Sequence, residues 1–177
     1  MTRRLHIGAQ AKAEGWEVLD VNPGPHVDHV CDAKDLSRFA DGSFVQIYAS
    51  HVVEHFDYMD ELQKTFIEWR RVLAPGGSIL ISVPDLDVLA RLLLDRGRLT
   101  ASDRYFVMRM IFGGHIDCYD YHLTGLNDEF LAHFLHSAGY VNIGRVRDFG
   151  LFHDMSTMMF HGVPISLNMI AEKPAEL

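Results

Sequence analysis

Phe44-Val-Gln-Ile-Tyr-Ala-Ser-His-Val-Val-Glu-His55 is the stretch that decides the fold. Its first half is an apolar run after the turn signal Asp41-Gly42, which predicts a strand over residues 44–49. Its second half reads in two ways. Alone, His51-Val-Val-Glu54-His55 matches the H-x-x-E-H pattern, which on a helix places two imidazoles on one zinc ion. In context, the segment leaves a strand that follows two earlier strands, each ending in aspartate. That arrangement reads as a nucleotide-type ligand site at the carboxyl edge of an open parallel sheet.

Working outward, residues 4–8 form a short alternating strand stopped by Gly8. Residues 16–20 form a second, ending at Asp20 and closed off by Asn22-Pro-Gly-Pro25, and residues 27–31 a third, ending at Asp32-Ala33. A helix is predicted over 57–73, with Met59, Leu62, Phe66, Trp69 and Leu73 on one face and Asp57 as its cap. Pro75-Gly76-Gly77 ends it, and residues 78–83 are a near-continuous apolar strand of the kind buried on both faces. Further helices are expected over 84–96, 102–112 and 127–138, and closing strands over 140–147 and 164–171. Alternating strands and helices predict an α/β fold: a Rossmann-like, doubly wound, mostly parallel sheet with a C-terminal antiparallel strand.

The 177 residues and ordinary globular composition predict one domain over 1–177. A net charge of −8 argues against a phosphate-tracking nucleic-acid binder. No apolar run approaches the roughly 20 residues that span a bilayer. The opening Met1-Thr-Arg-Arg-Leu-His6 lacks the apolar stretch of a secretory leader, and the two cysteines, Cys31 and Cys118, fit a reducing compartment, so a cytoplasmic protein is expected.

Only residues 9–15 join the first two strands. Extended, they cover about 25 Å at ~3.5 Å each, enough to return along a five-residue strand of roughly 17 Å. A helical crossover needs a dozen residues or more, so the helix between the first two strands is expected to be missing. One sheet face would then be thinly covered, and a homodimer is one way to cover it.

These pieces together resemble the class I methyltransferases that use S-adenosylmethionine, within the type 11-like group. The resemblance runs through Leu5-His-Ile-Gly8, Val18-Leu-Asp20, Val30-Cys-Asp32-Ala33, Asp41-Gly-Ser-Phe44, Ser50-His-Val-Val-Glu-His55 and Glu68-Trp-Arg-Arg-Val-Leu-Ala-Pro-Gly-Gly77. It continues through Val83-Pro-Asp-Leu86, Ala138-Gly-Tyr140 and Ser166-Leu-Asn-Met-Ile-Ala171. It implies a methyltransferase with S-adenosylmethionine as cofactor; the acidic charge and short length point to a small-molecule or sugar acceptor, methylated at oxygen. Gly8, Ala9, Asp20, Asp32, Ala33 and Ser50 are the cofactor contacts it implies. Gly8 would let the backbone approach the methionyl part, Asp20 would accept from the ribose hydroxyls and Asp32 from the adenine amino group. His51 is the implied base beside the methyl group. The chain departs from the family at Gly8-Ala9-Gln10, where Gly-x-Gly is usual.

Residues 99–125 are a candidate lid, with Gly113-Gly114 as hinge and His115 or His122 reaching the acceptor. Residues 149–161, rich in methionine and aromatics, read as core filler or as a further pocket wall. Two other readings stay open. A non-catalytic scaffold that lost the cofactor loop is favoured by Gln10 and the missing helix. A zinc hydrolase through His51, Glu54 and His55 is the third, although the strand-to-turn junction supplies helical ligand geometry poorly.

Overall fold

The computed structural model describes residues 2–175. Three short strands open the chain: β1 (Arg4–Ile7), β2 (Glu17–Asp20) and β3 (His29–Val30). After β4 (Phe44–Ser50) and a single turn of 3₁₀ helix (Val53–His55) come α1 (Glu61–Val72), β5 (Leu73–Pro84), α2 (Leu86–Leu94), α3 (Ala101–Phe112) and α4 (Asp128–Ser137). The chain finishes with β6 (Val141–Val146), a small hairpin of β7 (Met159–Phe160) and β8 (Val163–Pro164), and β9 (Ser166–Glu172). Seven strands form one sheet in the order β3-β2-β1-β4-β5-β9-β6. β1 to β5 run parallel, and β9 runs antiparallel to both its neighbours. The winding reverses between β1 and β4, so a crevice opens at their carboxyl ends. Among the described residues no helix is long and apolar enough to cross a membrane.

The two-residue period of the strands sorts the core. Leu5, Ile7, Ile47, Ala49, Ile79 and Ile81 point to one face, where Phe66 and Trp69 of α1 and Leu131 and Leu135 of α4 meet them. His6 and Tyr48 point to the other, with their rings 4.7 Å apart. As expected, no helix connects β1 to β2. The bare face is nonetheless covered, because Phe149 and Phe152 pack onto Trp16, Tyr48 and Leu80. The Tyr48 hydroxyl donates to Asp154 at 2.7 Å and ties that segment down. An uncovered face was the ground for expecting a homodimer, and the chain fills it with its own residues. Near the carboxyl edge, α2 and α3 share a second cluster built on Leu89, Leu92, Val107 and Ile165.

Three local expectations change. Helix α1 begins at Glu61, not residue 57, because the Asp57 carboxylate accepts from Met59 N–H and holds a turn there. Met59 is accordingly exposed rather than on the apolar face. At the other end α1 passes directly into β5, since Leu73 pairs with Phe44 before the Pro75-Gly76-Gly77 breaker is reached. The Gly113-Gly114 pair is no open hinge. A Cβ at Gly113 would lie 2.4 Å from the Asp120 carbonyl oxygen, so the glycine is there for close packing.

His6 makes stability depend on pH. It lies among the rings of Trp16, Tyr48 and Phe152. Burial pushes its pKa down to about 4, against a smaller upward pull from Asp154. The unfolded chain therefore binds this proton first, and stability present above pH ~6.5 is lost as the pH falls toward 4. Between pH 7 and 5 the loss from this one group is about 2 kcal/mol, roughly 4–8 °C in Tm. His6→Phe, which keeps the aromatic packing, is expected to flatten that fall in a pH series of thermal melts. An unchanged slope would reject the assignment.

Candidate functional site

A cleft of about 590 Å³ occupies the crevice at the carboxyl ends of β1, β2 and β4, within the usual range for a small-ligand site. Gly8, Asp20, Asp32, Ala33 and His51 all line it. Ala9, Ser50 and His115 do not stand on its wall. Ala9 is buried, and its carbonyl oxygen is bonded to His26 Nε2 at 3.0 Å. Ser50 Oγ is buried without a hydrogen-bond partner. His115 stacks on Tyr121, with ring centroids 4.0 Å apart, and bonds the Phe112 carbonyl through Nε2.

Each wall residue is set by its local chain. Gly8 has φ of 74°, and a Cβ there would come within 2.7 Å of Val52 Cγ2. Its N–H donates to Leu19 O, which locks β1 against β2 at the cleft. Asp20 Oδ1 accepts from Asn22 N–H at 2.7 Å, and Asp32 Oδ1 from Lys34 N–H at 2.9 Å. These are Asx turns, in which each carboxylate fixes its own loop. Ala33 O accepts from Trp69 Nε1 at 2.7 Å, so the core tryptophan holds the rim. Lys34 bonds Glu61 at 2.8 Å, and this bond is the main reason that the Lys34 pKa is raised and the Glu61 pKa lowered.

The turn after β4 carries two strongly perturbed groups. His51 has φ of 56°, a left-handed conformation that a non-glycine residue adopts only when its surroundings hold it. Its N–H donates to Ser82 O. Ser166 Oγ donates to Met155 O, so it receives the His51 Nε2–H at 3.0 Å. That leaves His51 Nδ1 as the unprotonated nitrogen, 3.4 Å from Glu54 Oε1. Burial pushes the His51 pKa down to about 4. Glu54 is 1% exposed, both its carboxylate oxygens lack hydrogen-bond partners, and burial pushes its pKa up to about 8.

The segment after α3 closes over this turn. Cys118, Tyr119, Tyr121 and Leu123 add to the cleft wall. Leu123 and Thr124 N–H both donate to Glu54 O, Thr124 Oγ1 donates to Phe56 O, and His55 Nδ1 donates to Tyr121 O. Lys34, Phe56, Tyr119 and Tyr121 were missed in the sequence as wall residues. The tyrosines lay in the predicted lid, but nothing local placed them opposite Asp20.

Residues 9–81 match the family model described as a methyltransferase domain. No curated protein sequence matches the chain. Among solved structures, a SAM-dependent methyltransferase from Archaeoglobus fulgidus superposes with a TM-score of 0.63 at 16% identity, covering 97% of this chain and 86% of that one. The N-methyltransferase NodS from Bradyrhizobium japonicum WM9, in complex with S-adenosyl-l-homocysteine, gives 0.57 at 15%, covering 98% and 78%. The CurJ carbon methyltransferase gives 0.57 at 15%, covering 98% of this chain, which spans about half (49%) of that one. At these identities the likeness is one of fold.

Proposed function

We propose that this chain, which has the fold of SAM-dependent methyltransferases and matches a methyltransferase domain pattern over residues 9–81, is a class I methyltransferase that binds S-adenosylmethionine in the 590 Å³ cleft and transfers its methyl group. The observation that carries the reading is convergence: Gly8, Asp20 and Asp32, from the ends of three adjacent parallel strands, meet on one cleft at the point where the winding reverses. Asp20 would take the ribose hydroxyls, Asp32 with the Ala33 backbone the adenine, and Gly8 the methionyl part. The Gln10 departure leaves this wall intact, since Gln10 does not line the cleft.

The acceptor would enter beneath Tyr119 and Tyr121, whose apolar faces and hydroxyl tips suit a small hydroxylated molecule such as a sugar. Methylation at oxygen fits such an acceptor. The sulfonium makes the methyl group electrophilic, so the protein's main task is to align donor and acceptor. His51 is neutral at pH 7 and so in the form that can take a proton, but both its nitrogens face protein groups. We assign it to holding the turn at the methyl end of the cleft. His115 would act only through Tyr121, on which it stacks. The lid role of residues 99–125 and a cytoplasmic location belong to the same proposal.

Calorimetric titration of S-adenosylmethionine into the protein tests the reading. Micromolar affinity, about −8 kcal/mol, is expected, with a loss of at least tenfold in Asp20→Ala. Absence of heat and of any thermal shift would favour the non-catalytic scaffold instead.

A further inference from the structure

We infer that Glu54, His55 and His122 form a binding site for one divalent transition-metal ion of the zinc type, at the seam between the turn after β4 and the segment that closes over it. One ligand atom from each of the three residues lies within 4.8 Å of the others. Ligand atoms around a tetrahedral zinc ion at ~2.1 Å stand roughly 3.4 Å apart, so small side-chain rotations complete the set. Two imidazoles and a carboxylate, with a fourth position open to water, are a zinc donor set.

A further observation points to an ion. Glu54 is 1% exposed and neither oxygen has a hydrogen-bond partner, since His51 Nδ1, 3.4 Å from Oε1, carries no proton to donate, although a buried carboxyl group ordinarily finds one. A cation supplies that partner. The outer contacts also suit ligation: His55 donates its Nδ1–H to Tyr121 O, which leaves Nε2 as the donor atom. His51 is not one of the three. The H-x-x-E-H pattern therefore contributes only its last two residues, and the third ligand comes from His122, which the fold brings up from 67 positions further along the chain. No hydrolytic activity follows from the site. It would clamp the closing segment to the cleft, and it stands or falls independently of the methyltransferase reading.

The test is calorimetric titration of zinc sulfate into the EDTA-treated full chain, with Co²⁺ absorption spectra as a second readout of coordination. Expected are one equivalent bound at micromolar Kd or tighter, a rise in Tm on adding zinc, and a visible Co²⁺ band of four-coordinate intensity. Glu54→Gln, His55→Ala and His122→Ala should each weaken binding at least 30-fold. The chain holds 11 histidines, so a His133→Ala/His136→Ala variant, altered at two exposed positions of α4, serves as control and should bind as the parent does. Circular dichroism verifies that each variant is folded, and Glu54→Gln preserves shape if a histidine variant is not. No saturable binding, or equal affinity in the parent, Glu54→Gln and His122→Ala, would overturn the site. S-adenosylmethionine titrated into the metal-free protein reports on the cofactor cleft separately.

Discussion

Trp69→Ala should lower the melting temperature by about 10–15 °C and weaken S-adenosylmethionine binding in the same protein. Trp69 is fully buried on α1, against Phe56 and Phe66. Truncating a buried aromatic of this size costs about 3–5 kcal/mol through lost burial and the cavity left behind, which in a domain of this length is roughly 2–4 °C per kcal/mol. The indole also donates to Ala33 O on the cleft rim, and the orphaned carbonyl adds about 1 kcal/mol. Trp69→Phe separates the two contributions. It keeps most of the packing and loses the hydrogen bond, so most of the melting temperature should return while the cofactor affinity stays reduced. Equal affinity in Trp69→Phe and the parent would show that the rim does not need the bond.

Gly8→Val is expected to cost more than 100-fold in S-adenosylmethionine affinity. The backbone there has φ of 74°, a region in which a β-branched residue is a genuine outlier. The first side-chain carbon alone would come within 2.7 Å of Val52 Cγ2, and Val52 is itself a wall of the cleft. Gly8 must therefore rotate, Val52 must move, or both, and each displaces the wall. Gly8→Ala combined with Val52→Ala removes the clash but keeps the backbone strain, so it should recover part of the affinity lost in Gly8→Ala. Titration calorimetry at a temperature where all variants are folded gives the comparison. No recovery would mean that the strain, and not the contact, sets the requirement for glycine.

The sequence carried the strands because their signals are local. Alternation in 4–8, the apolar run of 78–83 and the turn at Asp41-Gly42 each needed only neighbours. The resemblance to methyltransferases was legible for the same reason, and the domain pattern over 9–81 and the fold neighbours bear it out. Gly8, Asp20 and Asp32 could be placed at one edge because parallel strands align their ends. What sequence reading lost was long-range. Phe149 and Phe152 were read as filler, without any sign that they replace the absent helix on the far side of β1. Glu54 and His55 were seen beside His51, but the group that approaches them in space is His122, from a different element. Helix boundaries failed where a side chain overrode the pattern, as Asp57 does through its bond to Met59.

The cover over β1 also bears on how the chain reaches this structure. In most sheets of this kind each strand is shielded by the helix that follows it, so shielding keeps pace with synthesis. Here Tyr48 waits for Asp154, a partner 106 residues away. A nascent chain leaves Trp16, Tyr48 and Leu80 without this cover until residues 149–154 have left the ribosome. Contacts this distant in sequence slow folding, and apolar surface bared for that interval invites aggregation. The strands laid down first thus keep one face open until residues 149–154 arrive to cover it.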